Sequence, residues 1–141
     1  MALAKTQPDT GILLVVTCGL FFVVNTLVIL VSHLLFPQHL VLGTQCVSFL
    51  WALIHSGISL ALIDTAALPF LRLRARVLGQ PLTPREWLIA YFFINFVGIW
   101  LVARLANQFG FGISSWMVAL IMALVLNFIQ NYVLTKVIKL W

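Results

Sequence analysis

Read for polarity, the chain consists of long apolar runs broken by short polar punctuation. From Thr10 to Ile63 there is no Asp, Glu, Lys or Arg, and the same holds from Trp87 to Ala103 and from Leu105 to Thr135. A straight helix as long as the first run would measure about 80 Å at ~1.5 Å per residue. A bilayer core is ~30 Å thick, so that run must cross twice and turn between. The turn is expected at Pro37-Gln38-His39, where Pro37 interrupts helical hydrogen bonding and the polar pair tolerates the interface. The pattern predicts four spans, at about 12–36, 40–63, 84–107 and 113–135.

Local signals refine the boundaries. After Asp64 come Pro69 and then Arg72, Arg74 and Arg76, whose alternate spacing does not place them on one helical face. This reads as a basic surface loop over 64–83, continued by Gly79-Gln80-Pro81. Thr83-Pro84-Arg85-Glu86 is a capping box: Thr83 accepts from the Glu86 amide, Glu86 reaches back, and Pro84 suits the first helical position. Leu82 and Trp87 stand where a hydrophobic staple would. Phe109-Gly110-Phe111-Gly112-Ile113-Ser114-Ser115 reads as a short turn before the last span.

Composition agrees with the pattern: 63% of the 141 residues are hydrophobic and 8% charged, against roughly 45–50% and 25% in soluble domains. A soluble fold is excluded, and the fold class expected is all-α, a single integral-membrane four-helix bundle of two tandem hairpins. The net charge of +5 is too thinly spread to form a phosphate-binding face, so nucleic acid is not an expected partner. The positive charges set orientation instead. Lys5 precedes the first span, Arg72, Arg74, Arg76 and Arg85 lie between the second and third, and Lys136 and Lys139 follow the fourth. All fall at one end, which should be cytoplasmic together with both termini; only Arg104 lies opposite. Trp87, Trp116 and Trp141 fall at expected interfaces, with Trp51 and Trp100 deeper. The first span is longer than the 7–15 residues of a signal-peptide core, so it should be retained, in an inner membrane.

A shift of 71 residues lays the first two spans over the last two without a gap. Phe21-Phe22 meets Phe92-Phe93, and Ser48, Ala52 and Ser56 meet Ala119, Ala123 and Asn127. Such small-residue ridges let membrane helices approach closely, within the chain or between copies. Two hairpins related by an axis along the membrane normal are implied; the competing explanation is shared apolar bias.

Within the spans, Asn25, His55, Asn95 and Asn127 are expected near mid-depth as a polar layer, with Asn127, Gln130 and Asn131 on one face of the last span. An unpartnered buried amide or imidazole costs ~2–7 kcal/mol, so each should face the interior. The layer either joins helices by hydrogen bonds or forms a polar path or headgroup groove opening toward the cytoplasm. Asp64 is expected at the inner end of the second span, paired with Lys136 or an arginine of the loop. No catalytic grouping is recognisable, Glu86 being absorbed by the cap, and an enzyme is not expected. His33 and His39 lack a third metal ligand, and no cofactor is implied.

Asn25-Thr26-Leu27-Val28-Ile29-Leu30-Val31 and Ile94-Asn95-Phe96-Val97-Gly98-Ile99-Trp100-Leu101-Val102, with the outer turn Phe109 to Ile113 and an Ala/Leu-rich last helix, resemble the small four-span bacterial proteins of phage holin family 4. The longer Arg72 to Glu86 segment departs from their pattern. Asn127-Phe128-Ile129-Gln130-Asn131-Tyr132-Val133 resembles the last span of GtrA-like carriers of polyprenyl-linked sugars, without the Arg/Lys-x-x-Phe that should follow. The first resemblance implies a small inner-membrane protein, and with it the small-residue ridges lead us to expect a structural or permeability role through homo-oligomers or a larger complex, using Ser48, Ala52, Ser56, Ala119 and Ala123. The second implies a carrier or accessory subunit for an anionic lipid, drawn by Arg72, Arg74, Arg76 and Arg85, each worth ~1 kcal/mol near an anionic leaflet.

Overall fold

The structure, a computed structural model, describes residues 10–140, with side chains described from 11 to 136. Lys5, Trp141 and the side chain of Lys139, used above as topology markers, lie outside them. The elements are α1 (Thr10–Leu35), β1 (Leu40–Leu42), α2 (Phe49–Leu78), α3 (Pro84–Arg104), α4 (Ala106–Phe109), β2 (Phe111–Ile113) and α5 (Trp116–Leu140). Among the described residues, α1, α2, α3 and α5 are long and apolar enough to cross a membrane. The chain is a multi-pass, all-helical membrane protein with a minor two-stranded sheet.

Hairpin α1–α2 packs on hairpin α3–α5 along two seams, α2 against α3 and α1 against α5. The outward faces are apolar at four-residue spacing: Val23, Leu27 and Val31 on α1, and Ile89, Phe93, Val97 and Leu101 on α3. Polar groups turn inward: Thr17, Asn25, Ser56, Asp64, Asn95, Asn127 and Gln130 are all buried. This inverts the soluble pattern, as expected where the surrounding solvent is itself apolar and unmet hydrogen bonds must be satisfied inside.

The expected 40–63 span is corrected. Leu40-Val41-Leu42 is not the start of a helix but a strand, paired antiparallel with Phe111-Gly112-Ile113 in the register Leu40 to Ile113 and Leu42 to Phe111. A short apolar run carries no periodicity that separates strand from helix. The segment read as a turn thus contains β2. Helix α2 begins at Phe49, with Ser48 as its N-cap accepting from the Trp51 amide at 3.4 Å, and Trp51 accordingly lies in its first turn rather than deep.

The expected basic loop over 64–83 is corrected as well. Helix α2 runs 30 residues, through Pro69 to Leu78, and ends at Gly79 with φ 65. At ~1.5 Å per residue it measures about 45 Å, longer than a bilayer core. Its last turns need not bury one face, so Arg72, Arg74 and Arg76, all exposed, can point in different directions. The predicted capping box at Thr83 is present, with the Thr83 amide donating to Glu86 Oε2 at 2.7 Å and the Glu86 amide to Thr83 Oγ1 at 3.3 Å.

The small-residue ridges face inward. Ala52, Ser56, Ala119 and Ala123 are fully buried within one chain, and Ser48 is spent as a cap. Buried there, they serve the packing of helices within the chain.

Candidate functional site

The buried polar residues form a layer between two apolar clusters. On the sheet side lies the larger core, including Val28, Ile29, Leu60, Ile99 and Leu126. Toward the basic end lies a smaller cluster of Phe21, Ala61, Leu68 and Tyr91. Between them each long helix contributes one side chain: Asn25, Asp64, Asn95 and Gln130.

These four are joined directly. Asn25 Nδ2 donates to Asp64 Oδ2 at 3.0 Å, and Gln130 Nε2 donates both to Asp64 Oδ2 at 2.8 Å and to Asn25 Oδ1 at 2.9 Å. Asn95 Nδ2 donates to Gln130 Oε1 at 2.8 Å. All four are at most 1% exposed. Gln130 is the centre, because a side-chain amide supplies two donor hydrogens and an acceptor in one plane. Asp64 Oδ1 and Asn95 Oδ1 are buried without a hydrogen-bond partner among the described residues.

Asp64 therefore does not sit at an interface paired with Lys136 or an arginine. A span counted from Leu40 ends at Ile63 and leaves Asp64 at its inner end; α2 instead runs from Phe49 to Leu78, so Asp64 lies mid-helix, where amides rather than cations meet it. The same later start corrects His55. It lies two turns from the start of α2, outside the polar layer, with its ring 4.6 Å from that of Trp51 and 6.0 Å from that of Phe109. Asn127 is tied to α3, donating from Nδ2 to the Leu88 carbonyl at 2.9 Å. Asn131 is half-buried.

Below this layer, at the basic end, is a cavity of about 360 Å³. Its polar lining is Thr17, Arg72, Asn127, Gln130, Asn131 and Thr135, and its apolar walls include Leu13, Leu68 and Leu134. Trp87 and Tyr91 form one wall as a stacked pair, ring centroids 5.9 Å apart and 20° from parallel. The Tyr91 hydroxyl donates to the Asp64 carbonyl oxygen at 3.4 Å. Of the four arginines singled out as headgroup or topology residues, Arg72 lines the cavity, whereas Arg74, Arg76 and Arg85 do not.

The sequence reading missed Asp64, Trp87 and Tyr91 as parts of one site. The available signal was Ser48, a strong N-cap type, which would have started the helix late and carried Asp64 inward. The volume falls within the ~300–1,000 Å³ typical of small-ligand pockets, and one guanidinium, several amides and a flat aromatic pair suit a polar, negatively charged group. No family model matches the chain, and comparison with curated proteins and with solved structures finds no similar one.

Proposed function

We propose that the protein is a carrier or accessory subunit for a lipid with an anionic headgroup, a prenyl-linked sugar phosphate being the class that fits best, in a bacterial inner membrane with the basic end cytoplasmic. The observation that carries this reading is the cavity at the basic end. Arg72 stands in its lining, buried amides form its floor, and apolar residues form its walls. A phosphodiester would meet the guanidinium, and a sugar could lie against Trp87 and Tyr91 with its hydroxyls toward Asn127, Gln130 and Asn131. A second groove, of about 580 Å³, runs along the α1–α5 seam toward the sheet end and is almost wholly apolar, with Val24, Leu27, Val31, Ile121 and Val125 in its walls. It suits a hydrocarbon chain.

The same reading takes the two hairpins as a repeated unit. Leu40 and Phe111 stand one 71-residue shift apart, are both buried, and lie in strands that pair with each other across a local two-fold. The seams α2–α3 and α1–α5 exchange under that shift.

Purified protein in nanodiscs should bind farnesyl phosphoryl glucose saturably, and Arg72→Ala should weaken binding about fivefold, equivalent to ~1 kcal/mol. Equal binding by the variant would sink the headgroup assignment. A rise in dye or ion permeability on expression, without lipid binding, would instead favour the pore-type role, which would then have to use surfaces other than the small-residue ridges.

A further inference from the structure

Asp64 is a carboxyl group held within a membrane-spanning bundle, and among the described residues no cation stands against it. The charged and titratable groups around it are few. On α3 Tyr91 contacts its backbone oxygen. On α2 itself Arg72 lies two turns further on, in the cavity wall. On α1 Cys18 packs in the small apolar cluster, and the nearest element of α5 is the Gln130 amide, with Lys136 exposed beyond it and placed over the Tyr132 ring. An ionised carboxylate in such a place is expensive, and amide donors to one oxygen only partly offset that cost. Both donors reach Oδ2, whereas Oδ1 is buried with no partner. An ionised carboxylate needs donors at both oxygens, and among the described residues none reaches Oδ1; a proton there replaces an unmet charge by one neutral hydroxyl, while Oδ2 still accepts twice.

Resting on the lipid-binding reading above, we infer that Asp64 carries a proton on Oδ1 and that occupancy of the cavity by an anionic headgroup is coupled to this proton through Gln130. Gln130 belongs to both sites: it lines the cavity and donates to Asp64. An anion in the cavity competes for the Gln130 donor and repels a charged Asp64, so the headgroup binds better when the carboxyl is neutral. The proton enters from the basic end, by way of the cavity. The protein is thereby a proton-linked lipid binder: protonation promotes loading, and loss of the proton promotes release.

Two measurements test this on the full-length protein in nanodiscs. The first is the infrared carbonyl band of a protonated carboxyl, which should be present at neutral pH and lost in Asp64→Asn. The chain has only two other acidic residues, Asp9 and Glu86, so the difference is assignable. Titration of the wild type alone, with the band bleaching in alkaline buffer, gives the same answer should the variant fail to fold. No such band overturns the inference and leaves the lipid reading standing. The second is the affinity for farnesyl phosphoryl glucose, a phosphodiester of fixed charge, as a function of pH. Affinity should fall as pH rises, by at most about tenfold per pH unit for one proton. Asp64→Asn, which preserves the acceptor for Asn25 and Gln130, should bind with the wild-type affinity of acidic buffer at every pH. A flat wild-type profile, or the same slope in the variant, overturns the coupling; absence of binding at every pH overturns coupling and lipid reading together.

Discussion

The two ends of the bundle are built on opposite principles. At the sheet end the hairpins are tied to each other by backbone. Beyond the β1–β2 pairing, the Gly43 amide donates to the Gly110 carbonyl at 2.7 Å and the Ser114 amide to the His39 carbonyl at 2.9 Å. His39 adds to this, its Nδ1 lying 3.1 Å from Ser114 Oγ, while His33 Nδ1, 2.8 Å from the Leu40 carbonyl, fixes β1 to α1 within the first hairpin. Phe111 and Leu40 plug the space between. At the basic end the link between hairpins is Gly79 to Thr83, flanked by helix caps, and the smaller apolar cluster opens into a cavity. The difference teaches where access lies: the polar layer is sealed from the sheet side and reached from the basic side.

The contrast breaks most readily at Gly110. Its φ is 73, and a Cβ there would stand 2.7 Å from the Ala52 Cβ and 2.9 Å from Val47 Cγ1. Gly110→Ala combines a left-handed conformation with overpacking, and should cost about 2–4 kcal/mol in reversible unfolding followed by tryptophan fluorescence. An unchanged midpoint would mean that the sheet end is not the rigid one.

Gln130→Leu probes the layer between the ends. It removes two donors and an acceptor, stranding Asn25 Oδ1 and the Asn95 amide, and should cost about 1–3 kcal/mol. It should also lower affinity for the prenyl phosphodiester, which Gly110→Ala should not do in the fraction that remains folded. If both variants altered binding alike, the two ends would not be functionally distinct.

His55→Ala gives the smallest effect. The ring contacts Trp51 and Phe109 on the sheet side of the layer, so about 0.5–1.5 kcal/mol of stability should go with it. Binding and its pH dependence should stay as in wild type. A change in either would place His55 back in the pathway.

How far the site was legible from sequence turns on one helix start. For α1, α3 and α5 the apolar runs and the capping box put Asn25, Asn95 and Gln130 inside the bundle, and there they are. For α2 the charge-free run from Leu40 onward hid both a strand and the helix start at Phe49, although Gly43-Thr44-Gln45 and Ser48 interrupt its apolarity. Asp64 was displaced toward the surface by that error, and His55 toward the centre. Alternation of Arg72, Arg74 and Arg76 misled for a related reason: one-sidedness is required of a helix only where one face is buried, and α2 has left the core by then.

By itself the sequence determined that the chain crosses a membrane with four helices and that its few polar residues must turn inward, because apolar solvent penalises every unmet hydrogen bond whatever the fold. It also determined the capping box, which rests on neighbours in the chain. Which amides meet which carboxyl was decided only by tertiary structure. Asn25, Asp64, Asn95 and Gln130 come from four different helices, and their meeting depends on where each helix begins and on the close approach that Ala52, Ser56, Ala119 and Ala123 permit. Those are properties of packing between segments, and no spacing along the chain encodes them.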